Sequence, residues 1–310
     1  MSVARRSLRA AGTLLSALCV GWVIYRFVES GLLQRVAHSS HAQAIGWHLV
    51  AAIPTYAIGV LALAAAWWFV QASVSRLRPS FRDTVLCYAV TQFGKYLPGN
   101  VAQYVGRHVM LKRWGVSHAA LVFCAIAEAG LLVAAALLWG ASLINQLLPA
   151  LSSIGVWCAV PLVVLGSGCA FAAVQRQAPR WMGQLAPFAP RWLIPAIFLY
   201  LLFFALMAMT LILVATPFEA IQGGYGLLAA VAALSWAAGY LVIGAPAGLG
   251  VREAVFIMLL KGHLPEAEVL LLVAGFRMAT FGGDLLAFLS GLPFMARLRK
   301  AAVAGTTRPG

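Results

Sequence analysis

Three basic side chains, Lys95, Arg107 and Arg252, stand beside breaks in an otherwise apolar chain. The first break is Pro98-Gly99, inside the stretch QFGKYLPGNVAQYVGRHVMLKR from Gln92 to Arg113. The second is at Pro246, inside GAPAGLGVRE from Gly244 to Glu253. A short helix restarting after each break presents free N–H groups and a partial positive charge, which suits anions. Asn100 is placed to cap the first, while Gly248 and Gly250 let backbone approach a ligand closely in the second. Guanidinium groups favour bidentate phosphate contacts, and Gln103 shares a helix face with Arg107, four residues on. The chemistry these residues predict is a cationic pocket at membrane depth for an anionic or zwitterionic head group.

Glu128, Glu253, Arg277 and Asp284 complete the ionisable set. Arg277 and Asp284 are seven apart, two turns along one helix face. Glu253, close to its break, is assigned to the substrate site. For Glu128, Arg277 and Asp284 two roles stay open: buried ion pairs that fix helix packing, or coupling residues, one of which takes up a proton during transport. Tyr96, Tyr104 and the tryptophans read as interface or packing residues. There is no metal-ligand cluster, nucleophile elbow, phosphate loop or dinucleotide fingerprint, and Gly248-x-Gly250 lacks a preceding soluble strand. No cofactor, metal or catalytic residue is therefore expected.

The elements that must position these residues are membrane helices. Of 310 residues, 63% are hydrophobic and 10% charged, against roughly 25% charged in soluble domains. Several apolar runs approach the ~20 residues that cross a bilayer, and no polar segment is long enough for a soluble domain. The formal charge of +14 lies between the apolar runs, as the positive-inside rule expects, and does not read as a nucleic-acid footprint. The five cysteines, Cys19, Cys87, Cys124, Cys158 and Cys169, all fall in apolar segments without zinc or CxxC spacing.

Taken in order, a retained first span follows Arg5, Arg6 and Arg9 and ends near Val28. The next runs from about Trp47 to Val70, with Trp47, Trp67 and Trp68 as interface anchors. Asp83 to Arg113 has two short arms around Pro98-Gly99 and reads as a re-entrant hairpin. Spans follow at about Ser117–Ala141, Ile154–Val174 and Trp192–Val214. Leu227–Gly244 and Val251–Leu260 form a second hairpin around Pro246, and the last span covers about Val269–Leu292. With six crossings, two hairpins and both termini cytoplasmic, fifteen Lys/Arg fall inside and three (Arg26, Arg35, Lys261) outside. Eight helices, with each hairpin arm a full span, preserve the same bias. The expected fold is all-α, one polytopic membrane domain over residues 1–310.

The two broken stretches also look alike. Glu128 lies thirty residues after Pro98, and Arg277 thirty-one after Pro246, each beyond a short helix and a glycine (Gly115, Gly262). That predicts inverted repeats at about 83–141 and 225–292, and such pairs point to a midplane transport site. Glu128 and Arg277, at equivalent places, are expected to be able to pair across the pseudo-symmetry axis.

KYLPGNVAQYVGR at Lys95–Arg107, with GAPAGLGVREA at Gly244–Ala254, resembles the transmembrane region of lysylphosphatidylglycerol synthases, the multiple peptide resistance factor family, and its stand-alone relatives. The resemblance runs from about the first span to the last. It implies a lipid flippase without the soluble lysyl-transferase domain, hence not an enzyme. It carries over Lys95, Pro98, Gly99, Asn100, Arg107, Gly248, Gly250, Arg252 and Glu253; Ala247 stands where relatives often have glycine. The reading is a translocator of a phospholipid or polyprenyl-phosphate-type lipid in a bacterial cytoplasmic membrane, its partners the lipid head group and membrane lipids, with no nucleic acid. Its rivals are a non-transporting subunit that anchors or regulates a lipid-modifying enzyme, and an enzyme acting on lipid phosphates.

Overall fold

The computed structural model describes residue 25 and residues 28–29, 31–39, 41–77, 79–97, 102–147, 185, 188–218, 224–242 and 246–304. The expected first span, the span at 154–174 and the break Pro98-Gly99-Asn100 lie outside the described residues. The helices run α1 (Leu32–Ala37), α2 (Ala42–Val74), α3 (Phe81–Gln92), α4 (Ala102–Lys112), α5 (His118–Leu147), α6 (Leu193–Ala215), α7 (Gly224–Leu241), α8 (Val251–Leu260) and α9 (Glu266–Ala304). Among the described residues β-structure is limited to a single bridge between Lys261 and Leu264. The protein is all-α and polytopic: Ala42–Val74, His118–Ala141, Pro190–Ala215, Gly224–Leu241 and Glu266–Pro293 are each long and apolar enough to cross a bilayer.

Lipid tails are as apolar as leucine, so helices here associate by close packing rather than by escaping water. α2 is the hub, lying against both α6 and α9. Gly283 of α9 brings the backbones together: a Cβ there would sit 2.9 Å from Ile53 O and 3.0 Å from Ala57 N. The outward faces carry large apolar residues, including Ile58, Ile126, Ile194 and Phe198. That pattern suits a hydrocarbon solvent.

The aromatic girdle differs from expectation. Trp47 is exposed, but Trp67 is fully buried. Trp68 is half-buried and donates its indole N–H to Pro79 O at 3.1 Å. Trp67 lies in the second half of α2, on the face turned towards α4, where a buried guanidinium claims its ring.

α3, α4 and α8 have 12, 11 and 10 residues. At ~1.5 Å per residue these are too short for a ~30 Å hydrocarbon core. α7 has 18 residues and by itself reaches crossing length. The first break therefore stands between two short helices, and the second between a long and a short one. In the first pair, Gly94 lets the returning arm come back onto the entering one: a Cβ there would lie 2.8 Å from the backbone N of Gln103.

Candidate functional site

α3 starts cleanly, with Ser80 Oγ accepting the N–H of Asp83 at 3.1 Å. It ends in a 3-10 turn, Phe93–Tyr96, whose tighter winding turns Lys95 and Tyr96 inward. Both grip α9: Lys95 Nζ lies 2.7 Å from Asp284 Oδ2 and donates to Oδ1 at 2.8 Å, and Tyr96 donates its hydroxyl to Oδ2 at 2.7 Å. The second break is a 3-10 turn too, Pro246–Gly248. The two turns touch: Phe93, Tyr96 and Ala247 form one small apolar cluster, with Phe281 and Phe288 of α9 against it.

On α4, Gln103 and Arg107 both point inward and are buried. Arg107 is boxed. Its guanidinium carbon lies 4.7, 4.1 and 4.9 Å from the ring centroids of Trp67, Tyr88 and Tyr104, within range of cation–π attraction. It donates to Glu128 Oε2 at 2.8 Å, while Tyr88 donates to Glu128 Oε1 at 2.6 Å. The predicted phosphate ligand of the first half is thus already neutralised by a carboxylate of its own half.

The second half repeats this plan with the signs exchanged. Glu253 on α8 pairs with Arg277 on α9, Nε to Oε1 at 2.7 Å. Its other oxygen accepts the N–H of Gly250 at 2.6 Å. The α8 N-terminus, expected to meet a bound anion, is therefore served by the chain's own carboxylate. The expected pairing of Glu128 with Arg277 is not formed. Each instead meets the returning arm of its own half, because α4 packs on α5, and α8 on α9. Nor do Arg277 and Asp284 act as one unit: the first holds α8, the second the turn before the first break.

Four cations and three carboxylates are then buried or half-buried together. Among the described residues Arg252 is the cation of this set with no ion pair, and its Nε has no hydrogen-bond partner. Its side chain lies in a seat made of glycine. A Cβ on Gly239 would overlap Arg252 Cγ, and one on Gly248 would sit 2.7 Å from Arg252 Nε. Ala247 and Gly248 have φ of 50° and 71°, and Gly250, beyond Leu249, a φ of 85°, positive values that favour glycine. The guanidinium carbon lies 5.6 Å from the Trp236 ring, and Trp236 stacks on Tyr240. The Tyr240 hydroxyl meets that of Tyr104, joining α7 to α4.

Two chambers share Tyr56, Trp236 and Arg252 as a common wall. One is lined further by Gln92, Lys95, Gln103 and Arg107, the other by Ser235, Glu253, Phe256 and Arg277. Each has room for about one or two water molecules. The structure thus brings Lys95, Gln103, Arg107, Gly248, Arg252, Glu253, Arg277, Glu128 and Asp284 into one connected region. Pro98, Gly99 and Asn100 fall outside the described residues. Tyr56, Tyr88, Gln92, Trp236 and Tyr240 are additions. Trp236 carried a usable signal: it is mid-helix in α7, where an interface anchor does not belong.

These features define a polytopic all-α membrane protein in which two interrupted helical segments meet around a buried charge cluster. The chain belongs to the family described as the lysylphosphatidylglycerol synthase TM region, which matches residues 9–287. The match ties it to a role connected with membrane lipids. No curated protein and no solved structure matched the chain.

Proposed function

We propose that this protein translocates a phosphate-bearing lipid across the bacterial cytoplasmic membrane. It holds the phosphate on Arg252 while the acyl or prenyl chains stay in the bilayer. The observation that carries this reading is the Arg252 guanidinium, which has no ion pair among the described residues, at the wall between two chambers. A charge left bare at membrane depth is costly and marks a ligand path more often than a packing site. The two interrupted segments act as opposed re-entrant repeats that rock against one another. Since neither chamber admits a head group as it stands, transport requires the halves to part. The joints that must yield are Lys95 and Tyr96 on Asp284, and Tyr104 on Tyr240.

The test is a fluorescent phospholipid in proteoliposomes, followed by its accessibility to a membrane-impermeant quencher. Wild-type protein should exchange the lipid between leaflets, and Arg252→Ala should slow exchange by about tenfold or more, the loss of one charge-assisted contact. Equal rates in the two proteins would remove Arg252 from the path. A wild-type protein that flips nothing and co-purifies with a stoichiometric lipid-modifying enzyme would support the anchoring role instead.

A further inference from the structure

A run of buried polar atoms lies outside both chambers, between α2 and α3. Gln71 on α2 is buried with both amide atoms unpartnered, and Nε1 of Trp67, one turn before it, is unpartnered too. On α3 the buried hydroxyl of Thr84 has no hydrogen-bond partner either. Thr55, Thr91 and Thr210 each turn the hydroxyl back onto the carbonyl four residues earlier, the usual resort of a threonine inside a helix. Thr84 leaves its hydroxyl off that carbonyl. These side chains share one seam. α2 ends at Val74 and α3 begins at Phe81, so the turn between them sets Gln71 opposite Thr84. It likewise sets Trp67 opposite Tyr88, whose rings lie 6.4 Å apart. Helical side chains lean towards the N-terminus of their helix, so Gln71 leans towards Trp67 and Tyr88 towards Thr84. The seam runs from an exposed end to a buried carboxylate. Arg76 and Arg82 are exposed at the α2–α3 turn. At the far end Tyr88 donates to Glu128 Oε1 at 2.6 Å, and the buried Tyr200 hydroxyl of α6, unpartnered as well, stands near that charge. Among the described residues Arg107 of α4 is the charged group that faces Glu128. Its other titratable neighbours are Tyr88 from α3, Tyr104 from α4, Cys124 on α5 itself, Tyr200 from α6 and Tyr240 from α7.

We infer that Gln71, Thr84 and the Trp67 indole hold water, and that this water carries a proton from the α2–α3 turn to Glu128. Each unpartnered group is costly to bury dry, and a bound water needs ~2–4 polar partners, which this seam supplies. The proton arrives on water and passes to the Tyr88 oxygen as Tyr88 gives its own hydrogen to Glu128 Oε1. Tyr88 begins and ends neutral, and the donating water recovers its proton from solvent at the turn. Glu128 becomes a neutral acid, and Arg107 is left with a positive charge that an anion can meet. Proton and monoanion then enter the membrane interior with no net charge added. That last step rests on the lipid-translocation reading; the proton route does not. Glu253 also has an unpartnered oxygen, Oε1, but its side chain is 19% exposed and its protonation needs no internal route.

The experiment is infrared difference spectroscopy of the full chain in detergent. It reads the carboxylic-acid C=O stretch on acidification from about pH 8 to about pH 5 and, separately, on adding dihexanoyl phosphatidylglycerol at constant pH. Wild-type protein should gain a band that is absent from Glu128→Gln and displaced in Glu128→Asp, and transfer into heavy water should shift it. Gln71→Leu and Thr84→Val keep the acceptor and remove the route. In them the band should reach full size while its hydrogen–deuterium exchange slows by about tenfold or more, the value of roughly one hydrogen bond in the relay. Thr84→Ser, which keeps a hydroxyl, should exchange at the wild-type rate. The same bands in wild type and both Glu128 variants, or no band under either condition, overturn the inference. So does an unchanged exchange rate in both route variants. The two Glu128 variants and the two route variants back each other where one does not fold. A band that forms on acidification and is unmoved by the lipid keeps the proton route and counts against the lipid reading alone.

Discussion

The two interrupted segments are built alike and charged in opposite senses. In the first, the returning helix α4 carries the cation, Arg107, and the next helix carries the anion, Glu128. In the second, α8 carries the anion, Glu253, and α9 the cation, Arg277. Each pair ties an arm to its neighbour, and each is locally neutral. The difference between the halves is what remains afterwards. In the first, three aromatic rings close over Arg107. The second adds an arginine, Arg252, one residue before the carboxylate that pairs with Arg277, and leaves it over a single ring with no ion pair among the described residues. A cation beside a chain break is thus not by itself a ligand. What counts is whether a carboxylate and a box of rings have already claimed it.

That contrast can be broken from its stronger side. Arg107→Ala or Glu128→Ala strands a buried charge and should cost about 3–5 kcal/mol, read as a large drop in thermal midpoint of the detergent-solubilised protein. The double variant should lose less than the sum, since no lone charge remains. Glu253→Gln should cost less, about 1–3 kcal/mol, because its side chain is 19% exposed and water shares the load. Should Glu253→Gln prove as damaging as Glu128→Ala, the two pairs are equivalent in strength as well as in place. Arg252→Ala should change stability by no more than about 1 kcal/mol, a small shift of the midpoint, while abolishing most lipid exchange. Loss of fold in that variant would make Arg252 a structural residue like Arg107. The smallest effect sits at Ala247. Its φ of 50° is left-handed, so Ala247→Gly should raise stability by about 1 kcal/mol, visible as a small upward shift of the midpoint.

Much of the architecture was legible because a bilayer enforces it: apolar runs, their lengths, and proline-glycine interruptions leave direct marks in sequence. Crossing-length helices stand where the runs at about 47–70, 117–141, 192–214 and 269–292 lie. Which charge meets which was not legible. Glu128 and Arg277 sit at matching offsets from their prolines, and offset says nothing of which helix packs on which. Their actual partners are 21 and 24 residues away, on the preceding arm. The tryptophans misled for a related reason. Trp67 and Trp68 are adjacent, but a helix turns about 100° per residue, so one faces Arg107 while the other reaches Pro79. Gln92 sat in plain view as a polar residue in an apolar arm. That it lines one chamber with Gln103 emerges only once Gly94 lets α4 fold back onto α3.

The glycine seat under Arg252 separates two properties that deletion variants confound. Removing the arginine takes away its charge and its location together. Gly239→Ala keeps the full charge in the membrane and only shifts where it rests, because the new methyl and the Arg252 stem claim the same volume. A protein whose work depends on the mere presence of a positive field would tolerate that change. One that depends on a guanidinium held at a fixed spot would not, and a residue with no side chain of its own would then govern transport as strictly as the charged one.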